Sequence, residues 1–486
     1  MSIFPRVSPS PPITLRTLGR VLATCLFLAP SPTGVLAQSP RPPAAPARLT
    51  AKEARAIVEA LRAAPELAAA PDLGPAADLL ASPNPEVAAR ADAALSEAIQ
   101  ALAEAEHGRL KSPRSVDPDW ALRATYDAAA DFRAARASGQ VAAWAAALPR
   151  RSPAYLALVA ARRRYADIVA AGGWTPLPTG PVLRSGKSDA RVPALRTRLA
   201  QEGYAAPAAS NRSKPDVYEP SLAAVVGEFQ RRHGLKADGV LTDGTVAALN
   251  VPAADRLAAL DANLERARWL PDQLPADRIE VDVAAAQAAV FQSGAPALSM
   301  RVIVGDPKHH TPIFVSKVVG VVFNPPWVVP ASIATAELYP KEQRAPGYLA
   351  RNGFSVVNGQ LIQAPGPKAS LGYVKIDIVS PFGVYLHDTP ARSLFNRDGR
   401  ALSHGCMRLE QPRELAVALL APKGWTLQSV DKAIAAGTTS RVTPNTQTPV
   451  YVVYRTAEAG GDAGPVVFRP DVYGWDAKLN EAIGRR

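Results

Sequence analysis

The chain has 486 residues, 48% of them hydrophobic and 20% charged, with a formal net charge of +12. That length and balance count against a single small domain and suit two to four globular domains with room for a large core. Dispersed arginines carry much of the charge, which in an exported chain points to anionic polymers or a membrane surface before nucleic acid. The N-terminus predicts export. Arg6, Arg16 and Arg20 stand without an acidic residue ahead of the apolar run "VLATCLFLAP", and "VLA" precedes Gln38. This is the pattern of a secretory signal peptide over residues 1–37; a membrane span needs roughly 20 apolar residues and the run is shorter. Cleavage after Ala37 would remove three arginines and Cys25, leaving a mature charge of +9 and Cys406 as the sole cysteine. A lone thiol in an oxidising compartment has no intramolecular disulfide partner, so it is an inert buried group, an intermolecular bridge or a nucleophile.

Residues 38–48 form a proline-rich linker. A helical scaffold is expected over 49–180, with Asn84 and Pro85 as N-cap and first residue of one helix, and Asp117 and Pro118 repeating the device ahead of "DWALRATYDAAADFRAA". Over 181–252, Val192, Leu195 and Leu199 share one helical face, and Leu222, Val225, Val226 and Phe229 share another. With Gly203–Tyr204, Phe229–Gln230, Gly234–Leu235, Asp238–Gly239, Thr245 and Leu249–Asn250 in order, this unit resembles the small three-helix peptidoglycan-binding domain. His233 reads as a surface or capping residue. Beyond residue 278 the period becomes that of strands, in "RIEVDVAAAQAAVFQSG", "ALSMRVIVGD", "TPIFVSKVVGVVFNPP", "GYVKIDIVSPFGVYLHDTP" and "TPVYVVYRT". Between two of these runs, residues 327–363 exceed an ordinary connection and predict a lid or inserted subdomain. The fold class is therefore multidomain α+β: a helical scaffold, a three-helix unit and a mostly β domain with an insertion.

The chemistry gathers in "RALSHGCMRLE", Arg400 to Glu410. A cysteine nucleophile needs a base, because the thiolate attacks and the free thiol has a pKa of about 8.5. His387 ends an alternating run and precedes Cys406 by 19 residues; His404 precedes it by two. Gly405 lets the backbone turn closely, so that amides near Gly405 and Cys406 face a developing oxyanion. His387, His404 and Cys406 also admit a zinc reading, but histidine and cysteine one residue apart chelate poorly and no H-E-x-x-H pattern is present. His309 and His310 sit on a turn, pointing different ways into solvent.

A histidine, a spacer of 15 residues and then Ser403, His404, Gly405 and Cys406 resemble the L,D-transpeptidase signature. The likeness continues in "GPKASLGYVKI", "YLHDTPARSLF" and "YRTAEAGGDAGPVVFRPDVYGWD", and is similar to the large periplasmic branch having a scaffold, a peptidoglycan-binding unit and a capped catalytic domain. It implies a catalytic domain over 265–435, with 436–486 as a C-terminal scaffold segment. It also implies Cys406 as nucleophile, His387 as general base and acid, His404 and Ser403 shaping the site, and the Asp388 carbonyl orienting His387. Arg408 would pair with a substrate carboxylate, and Trp327 and Tyr373 would line the cleft. The implied reaction is formation of 3-3 cross-links between tetrapeptide stems with loss of D-alanine, in the periplasm or cell wall. No cofactor, metal, nucleic acid or membrane span is expected, and carbapenems are expected to acylate Cys406. Water as acceptor would make the protein an L,D-carboxypeptidase, and an inert Cys406 would leave a wall-binding scaffold.

Overall fold

The computed structural model describes residues 48–63, 74–108, 112–122, 126–459 and 464–484. The expected leader, Cys25 within it and all of the linker but Arg48 lie outside these residues. Two units are present, one formed by residues up to 110 with 124–152, the other by 111–123 with 153–486.

The smaller unit is helical, with helices Ala51–Ala63, Pro85–Glu106, Ala128–Ala137 and Val141–Ala147 around Ile57, Leu95, Ile99, Leu102 and Phe132. Asn84 caps its helix as expected, its side chain accepting from the Glu86 amide at 2.9 Å. The device expected at Asp117 and Pro118 does not start a helix. Asp117 instead ends the short helix Pro113–Val116, and β1 (Trp120–Ala121) follows. Trp120 is fully buried, 5.3 Å from both Trp269 and Trp475, so burial of an indole in the larger unit overrides the local capping signal. The next helix begins at Ala128 with Asp127 as its cap.

In the larger unit, helix Pro153–Ala170 packs on helix Ala253–Arg268. The scaffold expected over 49–180 is thus divided, because Tyr155, Leu158 and Tyr165 share a core with Leu260 and Leu264. Helices Val192–Gln201, Pro220–Arg232 and Asp243–Leu249 close around Leu195, Leu199, Leu222, Val226 and Phe229. Gly239 is needed there: its φ is +67° and a Cβ would stand 2.5 Å from the Ala223 carbonyl oxygen. His233 does cap its helix, but it is buried rather than superficial, with its ring stacked 3.8 Å from Phe229.

The β domain is built on β2 (Arg278–Asp282), β3 (Gln287–Gln292), β4 (Ala295–Gly305), β5 (Ile313–Phe323), β6 (Trp327–Val328), β7 (Phe354–Val357), β8 (Gln360–Gln363), β9 (Val374–Ile378), β10 (Leu386–His387), β11 (Ala401–Ser403), β12 (Met407–Leu409), β13 (Ser440–Val442) and β14 (Pro449–Val453). The main sheet runs β1-β5-β14-β2-β3-β4-β12-β10-β9, and β9 also pairs with β5, so the sheet closes on itself. β14 lies between β5 and β2, because "VYVV" is buried on both faces; the sheet therefore extends past residue 435. The inserted segment forms a second sheet, β6-β8-β7, with its own core of Val329, Ala334, Leu338, Phe354 and Leu361. It is a small subdomain, called the cap below.

Asn324 ties β5 to the helix Leu427–Ala435. Its backbone is left-handed, with φ at 48°, and its buried side-chain amide donates to the carbonyls of Ala433, Ile434 and Thr438 at 3.0–3.2 Å. Replacing Asn324 with Ala should cost about 2 kcal/mol by orphaning those carbonyls, seen as a lower urea midpoint for unfolding of the β domain.

Candidate active site

The site follows from strand register. β10 lies between β9, antiparallel with His387 opposite Lys375, and β12, parallel with His387 opposite Arg408. Side chains alternate along strands. Leu386, Ile376 and Met407 are fully buried in the core, so Lys375, His387 and Arg408 take the opposite face. Tyr385 and Cys406, each two residues earlier than His387 and Arg408, join that face. The Met407 amide donates to the Tyr385 carbonyl at 3.1 Å, which sets Tyr385 beside Cys406.

His387 is buried. Its Nδ1 lies 2.6 Å from the Asp388 carbonyl, and the Leu371 carbonyl also accepts from the ring; a carbonyl only accepts, so the Asp388 contact assigns the proton to Nδ1. Burial pushes the imidazole pKa down to about 3, with the Arg408 charge adding to the effect. The ring is neutral at any physiological pH. The Asp388 carboxylate does different work: Oδ2 accepts from the Tyr373 amide at 2.9 Å and Oδ1 from the Thr389 amide at 2.7 Å. Gly372 leaves room for that carboxylate, since a Cβ would lie 2.4 Å from it.

Cys406 is a free, half-buried thiol. Burial pushes its pKa up, while the Tyr385 amide and hydroxyl and the Lys375 and Arg408 charges partly oppose the rise. A thiol and a neutral imidazole on the same face are therefore the resting state. Ser403 braces the turn: its hydroxyl donates to the Cys406 carbonyl at 2.6 Å and accepts from the Gly405 amide at 3.1 Å. The Gly405 amide expected to face an oxyanion is thus occupied. Gly405 has φ at +105°, and a Cβ would stand 3.2 Å from the His310 carbonyl oxygen.

His404 turns toward the cap. Its Nε2 is 2.5 Å from Glu337 Oε1, and its ring lies 4.6 Å from that of His309. His309 is thus partly exposed but part of this cluster, and His310 is packed against Tyr473 and Trp475, 4.4 and 5.2 Å away, where solvent was expected. The Arg408 guanidinium is desolvated, which pulls its pKa down, while Cys406 and Glu337 oppose the shift. Trp327 reaches the site from the cap by a hydrogen bond to Tyr385. Tyr373 lies instead in a 420 Å³ cleft with Asp388, Thr389, Arg392 and Glu410. Cys406 does not line that cleft.

Sequence reasoning missed Tyr385, Lys375, Glu337 and His309. Tyr385 was available from alternation, two residues before His387 in "VYLHDTP". Lys375 was not, because only the β9–β10 register places it. Among the described residues, no group of three or more His, Cys, Asp or Glu side chains is placed to hold a metal ion, and no helix is long and apolar enough to cross a membrane.

Fold and site together describe a mostly β domain with a thiol and a neutral imidazole on one face beneath an inserted cap. Residues 276–452 match the L,D-transpeptidase catalytic domain, and residues 188–249 match a domain described as "Putative peptidoglycan binding domain". The chain thus carries an L,D-transpeptidase catalytic domain and a peptidoglycan-binding-type domain. A Haemophilus influenzae protein described as "Putative L,D-transpeptidase" is 34% identical over 244 residues, covering 46% of this chain and 49% of that protein. The chain spans about half the length of that curated relative. Among solved structures, an L,D-transpeptidase from Mycobacterium smegmatis is 18% identical over 36% of this chain and 58% of its own, with a TM-score of 0.22. One from Xylanimonas cellulosilytica is 15% identical over 57% and 98%, with a TM-score of 0.18.

Lys375 rests 4.3 Å from the Tyr385 ring centroid, and its charge favours the Cys406 thiolate. Removing that charge with Lys375→Met should raise the thiol pKa further, slowing alkylation of Cys406 by iodoacetamide at pH 8 by about threefold. An unchanged rate would contradict the assignment.

Proposed function

We propose that this protein is an exported L,D-transpeptidase that cross-links peptidoglycan stems through an acyl-enzyme on Cys406. The observation that carries the reading is the β10–β12 register, which puts Cys406, Tyr385 and His387 on one face, with the Asp388 carbonyl accepting from Nδ1 of the His387 ring. Neither group is charged at rest, so proton transfer accompanies attack.

His387 Nε2 takes the Cys406 Sγ proton as sulfur bonds to the carbonyl carbon between the L-centre of the diamino acid and the terminal D-alanine. The tetrahedral oxyanion collapses, the C–N bond breaks, and D-alanine leaves with the proton returned by His387. A thioester remains, conserving the peptide-bond energy without a nucleotide. An amine from a second stem then attacks the thioester, giving up a proton through His387, and the C–S bond breaks to restore the thiol. The Lys375 and Arg408 charges favour the sulfur anion at both steps. Ser403 holds the turn that presents Cys406, His404 shapes the site on the side facing the cap, Arg408 meets a substrate carboxylate, and Trp327 borders the stem. The domain over 188–249 keeps the enzyme on the wall. Carbapenems, as acylating β-lactams, take the donor's place on Cys406.

Incubation with purified disaccharide-tetrapeptide and mass spectrometry of the products tests the reading. A dimer formed with loss of one D-alanine, reduced by at least about a thousandfold in Cys406→Ala, is expected. Tripeptide alone would convert the assignment to an L,D-carboxypeptidase, and turnover that survives Cys406→Ala would overturn it.

A further inference from the structure

The cap sends a carboxylate into the site. Glu337 lies in the π-helical turn Ala334–Leu338, a geometry that recurs at functional positions. Ala334 and Leu338 are buried in the cap's core, which fixes the turn, while 38% of the Glu337 side chain stays exposed. Oε1 is 2.5 Å from His404 Nε2, and Oε2 is 3.7 Å from Lys341, one turn on. His309 backs the His404 ring and is itself held by Asp306, 3.0 Å away.

A cation lies near this carboxylate. Glu337 lies within electrostatic reach of the Arg408 guanidinium, and Arg408 Nε has no hydrogen-bond partner among the described residues. Donating capacity is left over for a ligand that brings its own anionic oxygens. A carboxylate of the protein therefore stands against His404 and in the field of Arg408.

We propose that Glu337 is an internal stand-in for a substrate carboxylate, held by the cap against His404 until the carboxylate of the donor stem displaces it. The identity of that ligand rests on the transpeptidase reading. Two negative groups cannot share this space at low cost, so the latched and donor-bound states exclude each other. Binding is then weakened by the fraction of time the latch is open. The device also selects: a stem without the displacing carboxylate gains nothing from opening it. The terminal D-alanine and the diamino acid each offer a carboxylate.

Calorimetric titration of the full chain carrying Cys406→Ala with disaccharide-tetrapeptide, with and without Glu337→Gln, tests this. Gln keeps the shape and removes the charge. Binding is expected to tighten about tenfold, as for a latch closed nine-tenths of the time, and Glu337→Ala should act in the same direction. Loss of the gain with a terminal carboxamide would assign the displacing group to D-alanine; loss on amidating the diamino acid would assign it there. Equal gains with a stem amidated at both positions would mean simple loosening of the cap and would overturn the proposal, as would unchanged or weaker binding. A readout free of the substrate reading uses the Cys406 protein and two small alkylating agents. Glu337→Gln should raise the rate with anionic iodoacetate about tenfold more than with neutral iodoacetamide; an unchanged ratio would sink the latch even if the enzyme proves to be a transpeptidase.

Discussion

Parallel pairing of Leu386–His387 with Met407–Arg408 organises the chemistry of this chain. Parallel neighbours cannot be joined by a tight turn; they need a connection of about a dozen residues or more. Residues 388–406 supply it, first through the turn Arg392–Asn396 and then through β11, which pairs with β4 and returns the chain to the sheet. The long spacer between His387 and Ser403 is thus a topological requirement of bringing Cys406 and His387 to one face of neighbouring parallel strands. Ser403 then fixes the last step, bonded on one side to the Gly405 amide and on the other to the Cys406 carbonyl.

The same burial that fixes these groups sets their protonation. Desolvation works against charge on both, lowering His387 and raising Cys406, so the pair rests neutral instead of as thiolate and imidazolium. Lys375 and Arg408 pull the other way on the sulfur, while the Asp388 carbonyl assigns the ring proton to Nδ1. Such a site is quiet without a substrate. The cap adds a second restraint through Glu337 and Trp327, one on the His404 side of Cys406 and one on the Tyr385 side.

The sequence made the chemistry more legible than its surroundings. His387 and Cys406 could be singled out as candidates because spacing and residue type coincide, and the three-helix unit because its buried positions and turn glycines recur in order. Strand runs were visible through alternation, but their neighbours were not: nothing local in "TPVYVVYRT" says that it lies between β5 and β2. Local signals failed where a distant partner decided the outcome. The Asp117–Pro118 cap lost to burial of Trp120 against Trp269 and Trp475, and the division of the expected scaffold follows from Tyr155 and Tyr165 packing with Leu260 and Leu264. Glu337 was hidden for a similar reason, since only the folded cap brings it to His404.

The most direct measurement is peptide mapping of an acyl-enzyme quenched in acid during reaction with a tetrapeptide donor and no acceptor. Tripeptidyl mass on the fragment containing Cys406, formed slowly or not at all in His387→Ala, is the result this account predicts. An adduct on another residue, or a Cys406 adduct that forms at the same rate without His387, would contradict it.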